Sequence, residues 1–131
     1  MATSILARYP AADLLPPSPT LRLSPDELSE LARHGYSEAE IFALVVPKRT
    51  LARRRARKEP LTVEESDKAL RLKRIAVQAE QVFGDPEKAH RWLRKSKRAL
   101  QGQTPVEFLA TEAGARAVEE MLYRIEYGMF A

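Results

Sequence analysis

Lys48-Arg49-Thr50-Leu51-Ala52-Arg53-Arg54-Arg55-Ala56-Arg57-Lys58 places seven basic residues in eleven, with no acidic residue among them. The chemistry open to such a segment is polyanion binding, because each phosphate neutralised by Lys or Arg releases condensed counterions. The whole chain carries only +4, so outside this +7 segment the remainder sums to −3. The positive charge is a local device. Other reactive residue types are sparse. There is no cysteine, which removes disulfides and thiolate metal ligands and fits a reducing, cytoplasmic setting. His34 precedes Gly35 at an expected helix end, where a cation is favourable, and His90 has no second histidine at ligand spacing. No metal is expected. The chain has no glycine-rich phosphate loop, no nucleophile elbow and no His-Glu-x-x-His pattern, and its carboxylates fit helix caps or i,i+4 pairs such as Glu120–Arg124. Neither catalysis nor a cofactor is expected. No apolar run reaches the length of a signal peptide or the roughly 20 residues of a membrane span, so no membrane association is expected.

The elements that must carry the basic segment can be read from their start signals. Residues 1–20 contain Pro10, Pro16, Pro17 and Pro19 with little periodicity, and are expected to form a flexible arm. Ser24-Pro25-Asp26-Glu27, Ser37-Glu38-Ala39-Glu40, Thr62-Val63-Glu64-Glu65 and Thr104-Pro105-Val106-Glu107 are capping boxes. Asp85-Pro86 and Thr111-Glu112 are weaker starts, while Gly35, Gly84 and Gly128 fall where helices should stop. Leu72, Ile75, Ala76, Ala79, Val82 and Phe83 form an apolar stripe on a helix over about 62–83, and Val118, Met121, Leu122 and Ile125 form another near the C-terminus. No window alternates apolar and polar residues for long. The expected fold is all-α with six or seven helices.

Between Ser37 and Pro60 two short helices fit, one at about 37–45 with Ile41, Leu44 and Val45 inward, one at about 48–58. Pro47 separates them. Helix, tight turn and basic helix between supporting helices is the order of a helix-turn-helix domain. At 100° per residue Leu51, Ala52 and Ala56 share the inner wedge. Thr50, Arg53, Arg54 and Arg57 then fan outward for phosphates and the major groove, with Lys48 and Arg49 at the helix entrance. Arg55 falls on the core flank, where its stem covers apolar surface or its head pairs with a carboxylate. A lipid-lying helix would need a bulkier apolar face than one leucine and two alanines. The competing reading is that the arginine-rich helix is merely a solvated face.

Residues 85–101 hold a second positive region, six basic residues against two acidic, including Arg91, Arg94, Lys95, Lys97 and Arg98. It either extends a DNA footprint or faces solvent. Trp92 reads as a core anchor. Residues 111–131 differ in carrying four glutamates against two arginines, and they finish Tyr127-Gly128-Met129-Phe130-Ala131. Such an apolar tail either folds back or docks into a partner.

From Ala79 onward, the series Val82-Phe83-Gly84-Asp85, Ala89, Trp92-Leu93, Leu100, Gly102, Thr104-Pro105, Glu107, Leu109, Thr111-Glu112, Gly114-Ala115-Arg116, Val118-Glu119, Leu122, Arg124-Ile125-Glu126, Gly128 and Ala131 resembles the toxin-binding domain of Xre-type (ParS or MbcA-like) antitoxins. The likeness is looser over 25–78, where that family carries a phage-repressor-like helix-turn-helix. Ser96-Lys97 departs from a common Pro-Asn, and Gln101 stands where a glycine is common. After the proline-rich arm at 1–20, the resemblance implies a helix-turn-helix domain at 21–83 and a toxin-binding helical domain at 84–131. It implies a RES-domain toxin as partner, whose NAD-degrading pocket the C-terminal segment covers, and autorepression of the operon through double-stranded DNA. Arg116, Glu119, Arg124, Glu126, Gly128 and Ala131 match the motif. Tyr123, Tyr127, Met129 and Phe130 add apolar anchors of the kind that dominate interface energies. A repressor of a two-fold operator is expected to be a homodimer within a larger toxin–antitoxin complex. The alternative is a stand-alone dimeric DNA-binding regulator.

Overall fold

A computed structural model describes residues 4–9 and 17–128. The roles expected of Met129, Phe130 and Ala131, and the parts of the expected arm at 1–3 and 10–16, lie outside them. All regular structure among the described residues is helical: α1 (Ile5–Arg8), α2 (Ser29–Arg33), α3 (Glu38–Leu44), α4 (Lys48–Arg57), α5 (Val63–Phe83), α6 (Pro86–Leu93), α7 (Pro105–Phe108) and α8 (Glu112–Glu126). A 3₁₀ turn, Pro25–Leu28, leads into α2, and another, Arg98–Leu100, precedes α7. The all-α expectation is met.

The start signals work as local chemistry requires. Ser24 and Ser37 close reciprocal capping boxes with Glu27 and Glu40. The Thr62 hydroxyl accepts from the Glu65 N–H at 3.1 Å while the Thr62 N–H donates to the Glu65 carboxylate at 2.8 Å. Asp85, Thr104 and Thr111 cap α6, α7 and α8. Each such cap stabilises its helix by about 1 kcal/mol.

The chain divides into two compact units, Met1–Lys73 and Arg74–Ala131. The expected boundary at 83 follows the end of α5 at Gly84, whereas packing divides within α5 itself: a helix end need not be the place where contacts change. In the first unit the core holds Leu23, Leu28, Leu31, Tyr36, Ile41, Val45, Val46, Leu51, Leu61 and Leu72. The Tyr36 hydroxyl donates to the Leu72 carbonyl at 2.7 Å, and Ser66 accepts the Leu23 N–H at 2.8 Å, so these two buried hydroxyls are satisfied.

Residues 4–9, expected to belong to a flexible arm, are instead part of this unit. Leu6 is fully buried. Glu27 accepts the Ser4 hydroxyl at 2.7 Å and the Leu6 N–H at 3.0 Å, and the buried Lys73 ammonium donates to the Leu6 and Ala7 carbonyls and to Glu30. A four-residue helix is too short to show periodicity. Its partners lie 21 to 67 residues away, beyond the reach of local pattern.

The core of the second unit holds Ile75, Ala76, Ala79, Ala89, Leu93, Leu100, Val106, Leu109, Ala115, Val118 and Leu122. Gly114 lets α8 start hard against the end of α7, since a Cβ there would run into the Phe108 carbonyl. Gln101 sits at φ +57°, a left-handed conformation that glycine adopts without cost, which accounts for the glycine expected at that place.

Candidate nucleic-acid interface and docking face

The α3–α4 connection is a tight turn. Val46 donates to the Ile41 carbonyl at 3.2 Å, and Pro47, extended at ψ 150°, precedes α4 and accepts the Leu51 N–H at 2.9 Å. Leu51 anchors the inner face at 4% exposure. Lys48, Arg49, Arg53 and Arg57 are exposed as expected, and Thr50 is half-buried.

Arg54 is a correction. Its side chain is only 13% exposed, and its guanidinium forks onto Glu65 through Nε–Oε1 at 2.9 Å and Nη2–Oε2 at 3.2 Å, with Glu59 3.8 Å away. It ties α4 to the start of α5 instead of facing outward. Ala52 and Ala56, expected inside, are exposed. The inner face is set by Leu51 and Arg54, one turn apart. A long side chain with a neutralised head spans a gap that two alanines would leave open. Burial alone would raise the Glu65 pKa, but the Thr62 N–H and the Arg54 guanidinium outweigh it and hold the carboxyl below its ordinary range.

The entrance to α4 carries a feature that sequence reasoning missed. Pro47 offers no side-chain cap, and the first turn has no acidic residue. By contrast α2, α3, α5, α6, α7 and α8 each carry a glutamate in the first turn. Lys48 and Arg49 therefore add to the positive end of a helix dipole whose first N–H groups lack a side-chain acceptor. That arrangement costs stability but favours a phosphate. The signal was legible: a proline where Ser, Thr, Asp or Asn caps the other well-formed starts. Arg55 lines an apolar groove of about 370 Å³ with Leu28, Ile41, Phe42, Leu51 and Ala52.

In the second unit, α8 separates its residues by face. Ala115, Val118 and Leu122 are buried. Arg116, Glu120, Tyr123 and Tyr127 recur at i, i+4, i+7 and i+11 on the solvent side, where the two tyrosine rings lie 4.6 Å apart. Tyr123 and Tyr127 are 49% and 61% exposed, an unusual state for paired aromatics. Arg124 pairs with Glu120 at 3.2 Å, and Glu126 and Gly128 are exposed. Glu119 is a second correction. It receives Arg74 at 2.6 Å, and the same guanidinium reaches Glu112 at 3.1 Å, so Glu119 holds α5 to α8. Arg74 was not singled out because its partners lie 38 and 45 residues away.

Among the described residues no group of three or more His, Asp or Glu side chains could hold a metal ion, and no helix is long and apolar enough to cross a membrane.

Comparison with known proteins places both units. Residues 28–74 match the antitoxin Xre-like helix-turn-helix domain, and residues 78–128 match the antitoxin Xre/MbcA/ParS C-terminal toxin-binding domain. The chain is 48% identical over 84 residues to an antitoxin Xre of Pseudomonas putida, covering 64% of this chain and 53% of that one. It is 36% identical over 96 residues to an antitoxin Xre of Yersinia enterocolitica (72% and 65%). A protein of Sphingobium sp. named Prs ADP-ribosylating antitoxin is 32% identical over 109 residues (76% and 69%). The chain belongs to the Xre/MbcA/ParS antitoxin family. It spans 53% and 65% of the lengths of the Pseudomonas and Yersinia relatives.

Proposed function

We propose that this chain is an antitoxin with two separable surfaces. The first is α4, which lies in the major groove of operator DNA, with Lys48, Arg49, Thr50, Arg53 and Arg57 reaching phosphates and base edges. The second is the outer face of α8 and the segment after it, which together cover the active site of a toxin. The observation that carries the second surface is the exposed Tyr123–Tyr127 pair, aligned with Arg116 and Glu120 on one stripe. Aromatic anchors flanked by charge are the composition of an interface centre. We assign Met129, Phe130 and Ala131 to the same toxin contact.

The toxin we propose is a RES-domain enzyme that degrades NAD. The name of the Sphingobium relative supports this reading, since ADP-ribosylation takes its ADP-ribose from NAD. The glutamates at this end would complement a basic nucleotide pocket. A homodimer on a two-fold operator, in the cytoplasm, completes the proposal.

The test is co-expression with the RES-domain protein encoded beside this reading frame. The full chain is expected to restore growth, and deletion of residues 127–131 to abolish rescue while operator binding survives. Loss of both activities on deletion would show the tail to be structural. A neighbour of unrelated type, with no rescue by the full chain, would favour a solitary regulator.

A further inference from the structure

The cations of the second unit fall into two groups. On α5 and α8 they are paired: Arg74 with Glu112 and Glu119, Arg124 with Glu120, and Arg116 at 3.9 Å from Glu112. On α6 and the loop after it, Arg94 donates to the His90 carbonyl at 3.1 Å, while four others carry no carboxylate partner. Lys88, Arg91, Lys95 and Arg98 are exposed, and none has a carboxylate partner within 4.0 Å among the described residues. Lys88 and Arg91 share a face of α6. Lys95 follows one turn later, its N–H still donating to the Trp92 carbonyl at 3.4 Å. The Lys97 ammonium lies 4.8 Å from the centroid of the Trp92 ring, which rests on Phe83 at 5.7 Å. Burial, and after it the charge of Lys95, lowers the Lys97 pKa.

We propose that Lys88, Arg91, Lys95 and Arg98 form a second phosphate-contact surface, on the toxin-binding unit, which takes the sugar–phosphate backbone of duplex DNA. Crowded cations without internal partners are destabilising unless an external anion neutralises them. The chemistry of the patch selects the anion. Among the described residues the exposed large apolar ones are Val63, Tyr123 and Tyr127, and none lies on α6 or the loop after it. Trp92 is half-buried beneath Lys97. Without an exposed anchor the patch lacks the centre that a protein interface needs, and without a bulky apolar face it cannot lie in a membrane. Long flexible cations suit backbone contacts that carry no sequence information. This surface rests on the proposed DNA reading of α4 only in sharing its ligand.

The test uses the full chain and a random-sequence duplex, with binding followed by fluorescence anisotropy between roughly 50 and 200 mM salt. The triple variant K88Q/R91Q/K95Q is compared with K88R/K95R, which keeps the charge, and with R53Q/R57Q on α4. The expected result is a salt dependence flattened by roughly 2 to 3 logarithmic units per decade in the triple variant, and unchanged in K88R/K95R. An unchanged slope in the triple variant, with R53Q/R57Q still losing affinity, overturns this surface and leaves α4 standing. If that variant instead weakens co-purification with the toxin, the patch belongs to the protein partner and the inference fails. A flattened slope in the triple variant alone supports the patch and removes α4 from the DNA reading. Failure of the unmodified chain to bind duplex at low salt overturns both.

Discussion

Arg54 and its neighbours Arg53 and Arg57 are chemically identical but differ in what surrounds them. Arg54 is enclosed and bidentate on Glu65, while the other two face solvent. Replacing Arg54 by Ala strands a half-buried carboxylate, and should lower unfolding free energy by about 2 kcal/mol in urea titrations. Arg53→Ala and Arg57→Ala should leave stability within about 0.5 kcal/mol and each reduce the salt slope of DNA binding by about 1. Equal stability losses at all three positions would contradict this assignment. Glu65 adds a pH dependence. Its folded pKa lies below the ordinary value, so its contribution is fully present above the unfolded pKa and disappears as pH falls through the folded one. Stability measured downward from pH 6 should therefore decline more steeply in the parent than in Glu65→Gln, with the difference confined to the acid side of the carboxylate range.

At the level of elements, two backbone positions set the second unit. Gln101 holds a left-handed conformation without being glycine. Gln101→Gly should raise the unit's stability by up to about 1 kcal/mol, as relief of strain outweighs the added freedom of the unfolded chain. Gly114→Ala should do the reverse, by about 1–3 kcal/mol, because the Phe108 carbonyl must move to admit a Cβ. Thermal unfolding followed by circular dichroism reads both, and a neutral Gly114→Ala would remove the close approach from the account. In the first unit, α1 makes a parallel claim. Leu6→Ala should cost about 2–5 kcal/mol if the helix is part of the core, and almost nothing if it is an arm.

For the whole molecule, the consequence is separability. The α4 candidates for operator contact belong to the unit Met1–Lys73, and the docking candidates, with the proposed phosphate-contact surface, to Arg74–Ala131. Charge reversal at Arg53 and Arg57 should abolish operator occupancy in a gel-shift assay while toxin rescue persists. Substituting Ser for Tyr123 and Tyr127 should do the opposite. Variants that lose both activities together would show that one function requires the other.

Much of this was legible before any coordinates. Caps, proline breaks and glycine stops act within about four residues, so Ser37, Thr62, Thr104 and Gly84 announced their helices unaided. Seven cations within eleven residues are likewise a property of the chain itself. Tertiary packing decided the rest. Arg54 became an internal strut because Glu65 sits opposite it, Glu119 was taken by Arg74, and residues 4–9 joined the core through Glu27 and Lys73. Those outcomes depend on groups far apart along the chain. Local pattern can place a charge on a helix, but only the fold decides whether its counter-ion comes from within or from a partner.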